Sequence, residues 1–193
     1  MPKTSNRDKL LTEGLRVVHQ RGFAGVGVRD IALAAGVPLG SFTNHFPSKE
    51  AFGLEIIDLY LSNSRATIGQ TLRNDALPPL ERLAQWIDVN RSRQAKNEMR
   101  NGCLFGNFTA EASDSSDLIR EKLVKIFAEI QAAVAYCLEA AVQKGEISAT
   151  TNCDAVAGFI VSSLQGANLI SKAQRSSVPI DRFKDILFSS ILR

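Results

Sequence analysis

The sequence predicts an all-α protein of about nine helices, and three observations carry that reading. Apolar residues recur at intervals of three and four along nearly the whole chain. Glycine and proline fall in the gaps between those runs, where helices stop and start. No five-residue stretch combines β-branched enrichment with the strict alternation of a strand.

The elements follow in order. Leu11, Leu15 and Val18 mark a first helix over about 6–21, capped by Ser5 or Asn6 and stopped at Gly22. Val28-Arg29-Asp30-Ile31-Ala32 opens a short second helix that ends by Gly36. Pro38 suits the first turn of a third, which runs to about His45. Pro47 breaks the chain, and Ser48 caps a long fourth helix through Ala51, Leu54, Ile57 and Leu61 to about Leu72. After Pro78-Pro79 a fifth helix spans about 79–99, with Leu80, Leu83, Trp86 and Ile87 on one stripe. Asn101-Gly102 interrupts it before a short helix from Cys103 to Ala112. The last three are expected over about 117–144, 152–174 and 180–192, separated by Gly145 and by Ser176-Ser177-Val178-Pro179.

The net charge of +3 is small until it is located. Residues 1–50 hold seven Lys and Arg against four Asp and Glu, so the whole excess lies there and residues 51–193 are neutral. Both histidines, His19 and His45, fall in the same block. A polyanion is the partner such asymmetry suits. The longest apolar run, Ala132 to Leu138, is far short of a membrane span, and the N-terminus has no secretory pattern, so a cytoplasmic protein with no membrane partner is expected. Three cysteines without a C-x-x-C pair suit neither a disulfide framework nor a zinc site, and no metal or cofactor is implied. No nucleophile elbow, phosphate-cradling glycine loop or acid–base constellation points to an enzyme.

Residues 28–49 are the most informative stretch. Two short helices joined by a tight turn at Gly36, with Ala32 and Ala35 small enough for close approach, describe a helix-turn-helix over about 27–46. In a major groove, Thr43, Asn44 and His45 would offer hydrogen bonds to base edges or phosphates, and Asn suits adenine. Phe42 and Phe46 would face inward with Ile31 and Phe23. Lys49 and the amides after Ser48 would make a phosphate site.

Gly22-Phe23, Val28-Arg29-Asp30-Ile31-Ala32, Ala35-Gly36-Val37-Pro38, Gly40-Ser41-Phe42 and His45-Phe46-Pro47-Ser48-Lys49-Glu50-Ala51 together resemble the N-terminal domain of the TetR family of bacterial transcriptional regulators. The resemblance implies a homodimeric repressor whose third helices enter a palindromic double-stranded DNA operator. A C-terminal domain would dimerise and hold a small-molecule inducer. It places Arg29, Leu39, Gly40 and Ser41 at the DNA beside Thr43, Asn44, His45 and Lys49. It divides the chain into a DNA-binding domain over 1–50 and a ligand and dimerisation domain over 51–193, linked by the helix over about 48–72. Three positions depart from the family pattern. Gly25-Val26-Gly27 replaces a Ser or Thr cap, Thr43 replaces an aromatic phosphate contact, and Leu39 replaces a Lys or Arg but can meet a thymine methyl.

Gly102-Cys103-Leu104-Phe105-Gly106-Asn107-Phe108 and Lys172-Ala173-Gln174-Arg175 resemble a subfamily responsive to reactive or unsaturated small molecules. Cys103, at a helix start that favours a thiolate, is either a sensor or a small packing residue. Trp86, Phe105, Phe108, Phe127, Tyr136 and Phe159 are expected in the core. Of these, Trp86, Phe108 and Phe127 are candidates to line a cavity with Asn90, Cys103, Glu111 and Gln165. The broad apolar faces of the last two helices, through Phe159, Leu164, Phe183 and Leu187, suit a four-helix dimer interface. The competing function is a helical ligand-binding or protein-interaction module without DNA affinity.

Overall fold

The computed structural model describes residues 5–192, in nine α-helices with no strand among the described residues. They are α1 (Asn6–Arg21), α2 (Val28–Ala34), α3 (Leu39–His45), α4 (Lys49–Gln70), α5 (Pro79–Ala95), α6 (Leu104–Ala112), α7 (Asp117–Gln143), α8 (Cys153–Gln174) and α9 (Val178–Ile186). The punctuation acts as its chemistry dictates. Ser5 Oγ accepts the Asp8 amide at 3.1 Å to open α1, and Gly22 closes it at φ 85°.

Two boundaries differ from expectation. The fifth helix stops at Ala95 rather than near 99, because Met99 turns inward and is buried. Its amide returns to the Gln94 carbonyl at 3.0 Å, and Glu98 and Met99 take left-handed φ values of 53° and 58°. The ninth begins at Val178, since Pro179 occupies a first-turn position whose missing N–H costs no hydrogen bond. It then passes into a π-helical stretch, Leu187–Ile191, whose wider turn allows both Leu187 and Leu192 to be buried.

The chain packs as two compact units. The first takes in the chain up to Ser62 together with Leu104–Leu123; the second comprises Asn63–Cys103 and the chain from Val124 onward. Packing therefore draws a different line from one at residue 50, because α6 brings Phe105 onto Tyr60 (ring centroids 4.8 Å apart) and Phe108 onto Phe23 (4.7 Å). Helices α4 and α7 each contribute residues to both units.

The first unit is built on Leu10, Val17, Ile31 and Ile56 around an aromatic cluster. Phe52 lies 5.2 Å from Phe42 and 5.0 Å from Phe46 between ring centroids, and it fits because Gly14 has no side chain: a Cβ there would stand 2.3 Å from Phe52 Cζ. In the second unit Arg82, 2% exposed, donates to the Leu77 carbonyl at 2.8 Å and pairs with Asp75. Polar ties join α5 to α8 and α9: Gln94 donates to Asn168 at 2.6 Å, Arg91 pairs with Asp181, and Lys184 pairs with Asp88 at 2.6 Å. By length and composition α8 is apolar enough to cross a membrane, a test that a core helix also passes. It buries Ile160, Leu164, Asn168 and Ser171 along one side.

Candidate nucleic-acid interface

The helix-turn-helix is held from within. Gly36, at φ 63°, makes the turn between α2 and α3, and the Val37 amide returns to the Ala32 carbonyl at 3.1 Å. Phe42 anchors α3 in the aromatic cluster. At 3.6 residues per turn, the positions directed most nearly away from Phe42 are Gly40 and Asn44, with Leu39 and Thr43 on one flank and Ser41 and His45 on the other. Leu39, Gly40, Thr43, Asn44 and His45 are all exposed. Leu39 keeps 44% of its surface open, and a Cβ built on Gly40 would meet nothing within 4 Å.

Several of the expected groups are already engaged. Thr43 donates its hydroxyl to the Gly40 carbonyl at 3.1 Å, and half-buried Ser41 accepts from Asn6 Nδ2 at 3.3 Å. Ser48 accepts the Ala51 amide at 3.0 Å as expected. The Lys49 ammonium, however, lies 4.6 Å from the Phe23 ring centroid. Burial holds it below the usual lysine range, with the Glu111 charge acting in the opposite sense. Arg29 on α2 is exposed. The missing Ser or Thr cap is made good by Asp30, whose carboxylate accepts the Gly27 amide at 2.8 Å and pairs with Arg21 at 3.4 Å. Those two donors hold the Asp30 carboxyl below its ordinary value.

Sequence reasoning missed what supports this surface from the other side. Glu111 of α6, an expected pocket residue, accepts the Ala24 amide at 2.9 Å in the α1–α2 turn. Both its carboxylate oxygens lie 2.8 Å from where a Cβ on Gly22 would stand. Ser116 donates to Glu50, and Lys122 pairs with Asp58 at 2.7 Å. A carboxylate six residues after Phe105 carried no local signal for a partner 87 positions away.

The other expected site residues separate in the same way. Phe108 is fully buried against Phe23 in the first unit with Glu111, whereas Trp86, Asn90, Cys103, Phe127 and Gln165 belong to the second. Trp86 is buried, and the other four are half-buried. Asn90 is partly committed, donating to the Trp86 carbonyl at 2.7 Å. Cys137, buried beneath the Pro79 carbonyl, has its thiol pushed up to about 11 by desolvation. Among the expected interface residues, Leu164 and Leu187 are buried within their own chain and Phe183 is half-buried. Phe159, expected in the core as well as at the interface, is 48% exposed, and Ile170 and Ile186 are similarly open. Tyr136, also expected in the core, is half-buried, with its hydroxyl on Asp75 at 3.0 Å.

Residues 10–56 match the family described as bacterial regulatory proteins of the tetR family, and residues 79–187 match the tetracyclin repressor-like C-terminal domain. The chain belongs to the TetR family. This TetR-family regulator is 36% identical over 192 residues to the HTH-type transcriptional repressor DhaR of Mycobacterium sp. (strain GP1), covering all of this chain and 95% of that one. It is 32% identical over 174 residues to the transcriptional regulator AcuR of Cereibacter sphaeroides, covering 90% of this chain and 80% of that one. A crystal structure of regulatory protein TetR from Rhodobacter sphaeroides superposes with a TM-score of 0.93 at 29% identity, covering 98% of this chain and all of that one. The reduced form of Escherichia coli NemR gives 0.83 at 26% identity, with 97% of each chain covered. Such regulators bind DNA operators and function as dimers, and this chain is a DNA-binding transcriptional regulator whose named relatives are regulators and not enzymes.

Proposed function

We propose that this regulator is a cytoplasmic homodimeric repressor that occupies a palindromic operator through α3 and leaves it when a small molecule engages the α5–α9 helices. The observation that carries this reading is α3 itself: Phe42 and Phe46 fix it from inside while Leu39, Gly40, Thr43, Asn44 and His45 stay exposed on the outside. Two such helices in a dimer must lie about 34–36 Å apart to meet successive major grooves, so a modest tilt is enough to lose registry. Helices α4 and α7 both contribute to the two compact units, and α4, which follows α3 directly in the chain, is the element through which an effector would change that spacing. The exposed apolar residues Phe159, Ile170 and Ile186 on α8 and α9 support a partner copy there.

Retardation of the chain's own upstream DNA in an electrophoretic mobility shift assay tests the operator half of the reading. No retarded species at low salt would sink it. For the effector half, Cys103 is the candidate sensor of a reactive or unsaturated compound. Cys103→Ser should then retain DNA binding but no longer release DNA to an electrophile such as N-ethylmaleimide. Undiminished release from that variant removes the sensor role.

A further inference from the structure

We propose that α3 reads two neighbouring A·T base pairs in each operator half-site, with Asn44 on the adenine of one and Leu39 with the Thr43 methyl against the thymine methyl of the other. The inference rests on the DNA-binding reading above and adds the bases that are read.

It follows by subtraction from the groups that α3 presents. The helix, Leu39 to His45, has no Lys or Arg, and the commonest specific contact to guanine is a bidentate Arg or Lys on O6 and N7. Ser41 is half-buried and takes the Asn6 amide, and the Thr43 hydroxyl is spent on the Gly40 carbonyl. Lys49 lies over Phe23, and exposed Arg29 belongs to the helix that crosses the phosphate backbone, where contacts position without reading sequence. His45 stands on the flank away from Leu39, with its ring 6.4 Å from Phe46. Asn44 is left on the outermost ridge, its amide without a hydrogen bond among the described residues. That amide has the acceptor and donor needed for adenine N6 and N7.

Beside it the surface is apolar. Leu39 and Thr43 lie one turn apart on the same flank, and a threonine whose hydroxyl is turned back to the backbone offers its methyl. An apolar flank matches the thymine methyl and no other major-groove feature. Gly40, with open space beyond it and no internal packing reason to be bare, lets the α3 backbone come close to the groove floor. Consecutive helix residues rise by about 1.5 Å against about 3.4 Å for a base-pair step, so Thr43 and Asn44 face the same or adjoining pairs.

The test starts by selecting duplexes from a random-sequence library with the full-length protein. In the enriched duplex, single thymines are then replaced by deoxyuridine, which lacks the methyl, and single adenines by 7-deazadeoxyadenosine, which lacks N7. We expect one thymine per half-site at which deoxyuridine weakens wild-type binding about fivefold but Leu39→Ala binding less than about twofold, the remainder being the Thr43 methyl contact. We expect an adjoining pair at which the 7-deaza base costs about tenfold and leaves Asn44→Ala unaffected. Both variants should keep the wild-type melting temperature and salt slope, since neither contact is to phosphate. Enriched half-sites with G·C at these positions, or modified duplexes bound as tightly as the parent, overturn the proposal. Failure to enrich any duplex at low salt overturns the DNA-binding reading, and the proposal with it.

Discussion

Glu111 gives the sharpest quantitative test. Its carboxylate accepts the Ala24 amide at 2.9 Å, closes over Gly22, and sets its charge against Lys49. A hydrogen bond to a charged acceptor contributes about 1.5–3 kcal/mol when desolvated. Ala24 is exposed and its amide can turn to water, so Glu111→Ala should cost about 1 kcal/mol. For a chain of this length that lowers the melting temperature by roughly 2–4 °C. Glu111→Gln keeps an acceptor oxygen and should lose about half as much. Gly22→Ala adds a check, since at φ 85° and ψ 153° an alanine is strained by about 1–3 kcal/mol, and opposite Glu111 its Cβ would also strike both carboxylate oxygens at 2.8 Å. Gly22→Ala should therefore be less damaging in the Glu111→Ala background than alone. Circular dichroism melts of the four proteins read this directly. Simple additivity of the two substitutions, or an unchanged melting temperature for Glu111→Ala, would refute the role of this carboxylate in bracing the helix-turn-helix.

Gly40→Ala should stabilise the protein by about 0.5–1 kcal/mol, because helix-interior glycine is entropically costly and a Cβ there meets nothing. It should nonetheless weaken operator binding, as melts and mobility shifts made side by side will check. Phe159→Asp, on an exposed position, should leave the fold intact and shift the protein to a monomer in light scattering. Leu164→Ala, buried in its own chain, should instead cost about 2–5 kcal/mol whatever the oligomeric state. The Arg91 guanidinium and the Ser177 hydroxyl hold the Asp181 carboxyl below its ordinary 3.8. A depressed carboxylate adds stability that is complete above that ordinary value and lost as pH falls through the depressed one. The stability gap between wild type and Asp181→Asn, about 1 kcal/mol or less for a pair this exposed, should persist at neutral pH and close below 3.8 in pH-dependent melts.

Much of this was legible along the chain because it is local. The Ser5 and Ser48 caps, the glycine stops and the Gly36 turn act within a few residues of themselves, so helix order and the helix-turn-helix follow from spacing. Boundaries failed where a distant contact decided them, as at Met99, which ends α5 early by being buried. The cap of α2 was legible only in part: Gly27 has no side chain to offer, and Asp30 reaching back to its amide is a pairing that spacing permits but does not require.

By itself, then, the sequence determined nine helices, a basic N-terminal block and an α3 whose one apolar anchor leaves Leu39, Thr43 and Asn44 on other faces. Only the tertiary structure decided which partner each face meets. Phe159 and Leu164 lie on the same helix and read alike in sequence, yet one is half open and the other closed. Nothing in the sequence around Glu111 pointed to the Ala24 amide, to which α6 brings it by packing onto Phe23 and Tyr60. The reason is physical: periodicity records that a face is apolar or polar, a property of neighbours three and four residues apart. Burial and hydrogen bonding depend on groups tens of residues away, whose approach is set by the packing of the whole unit.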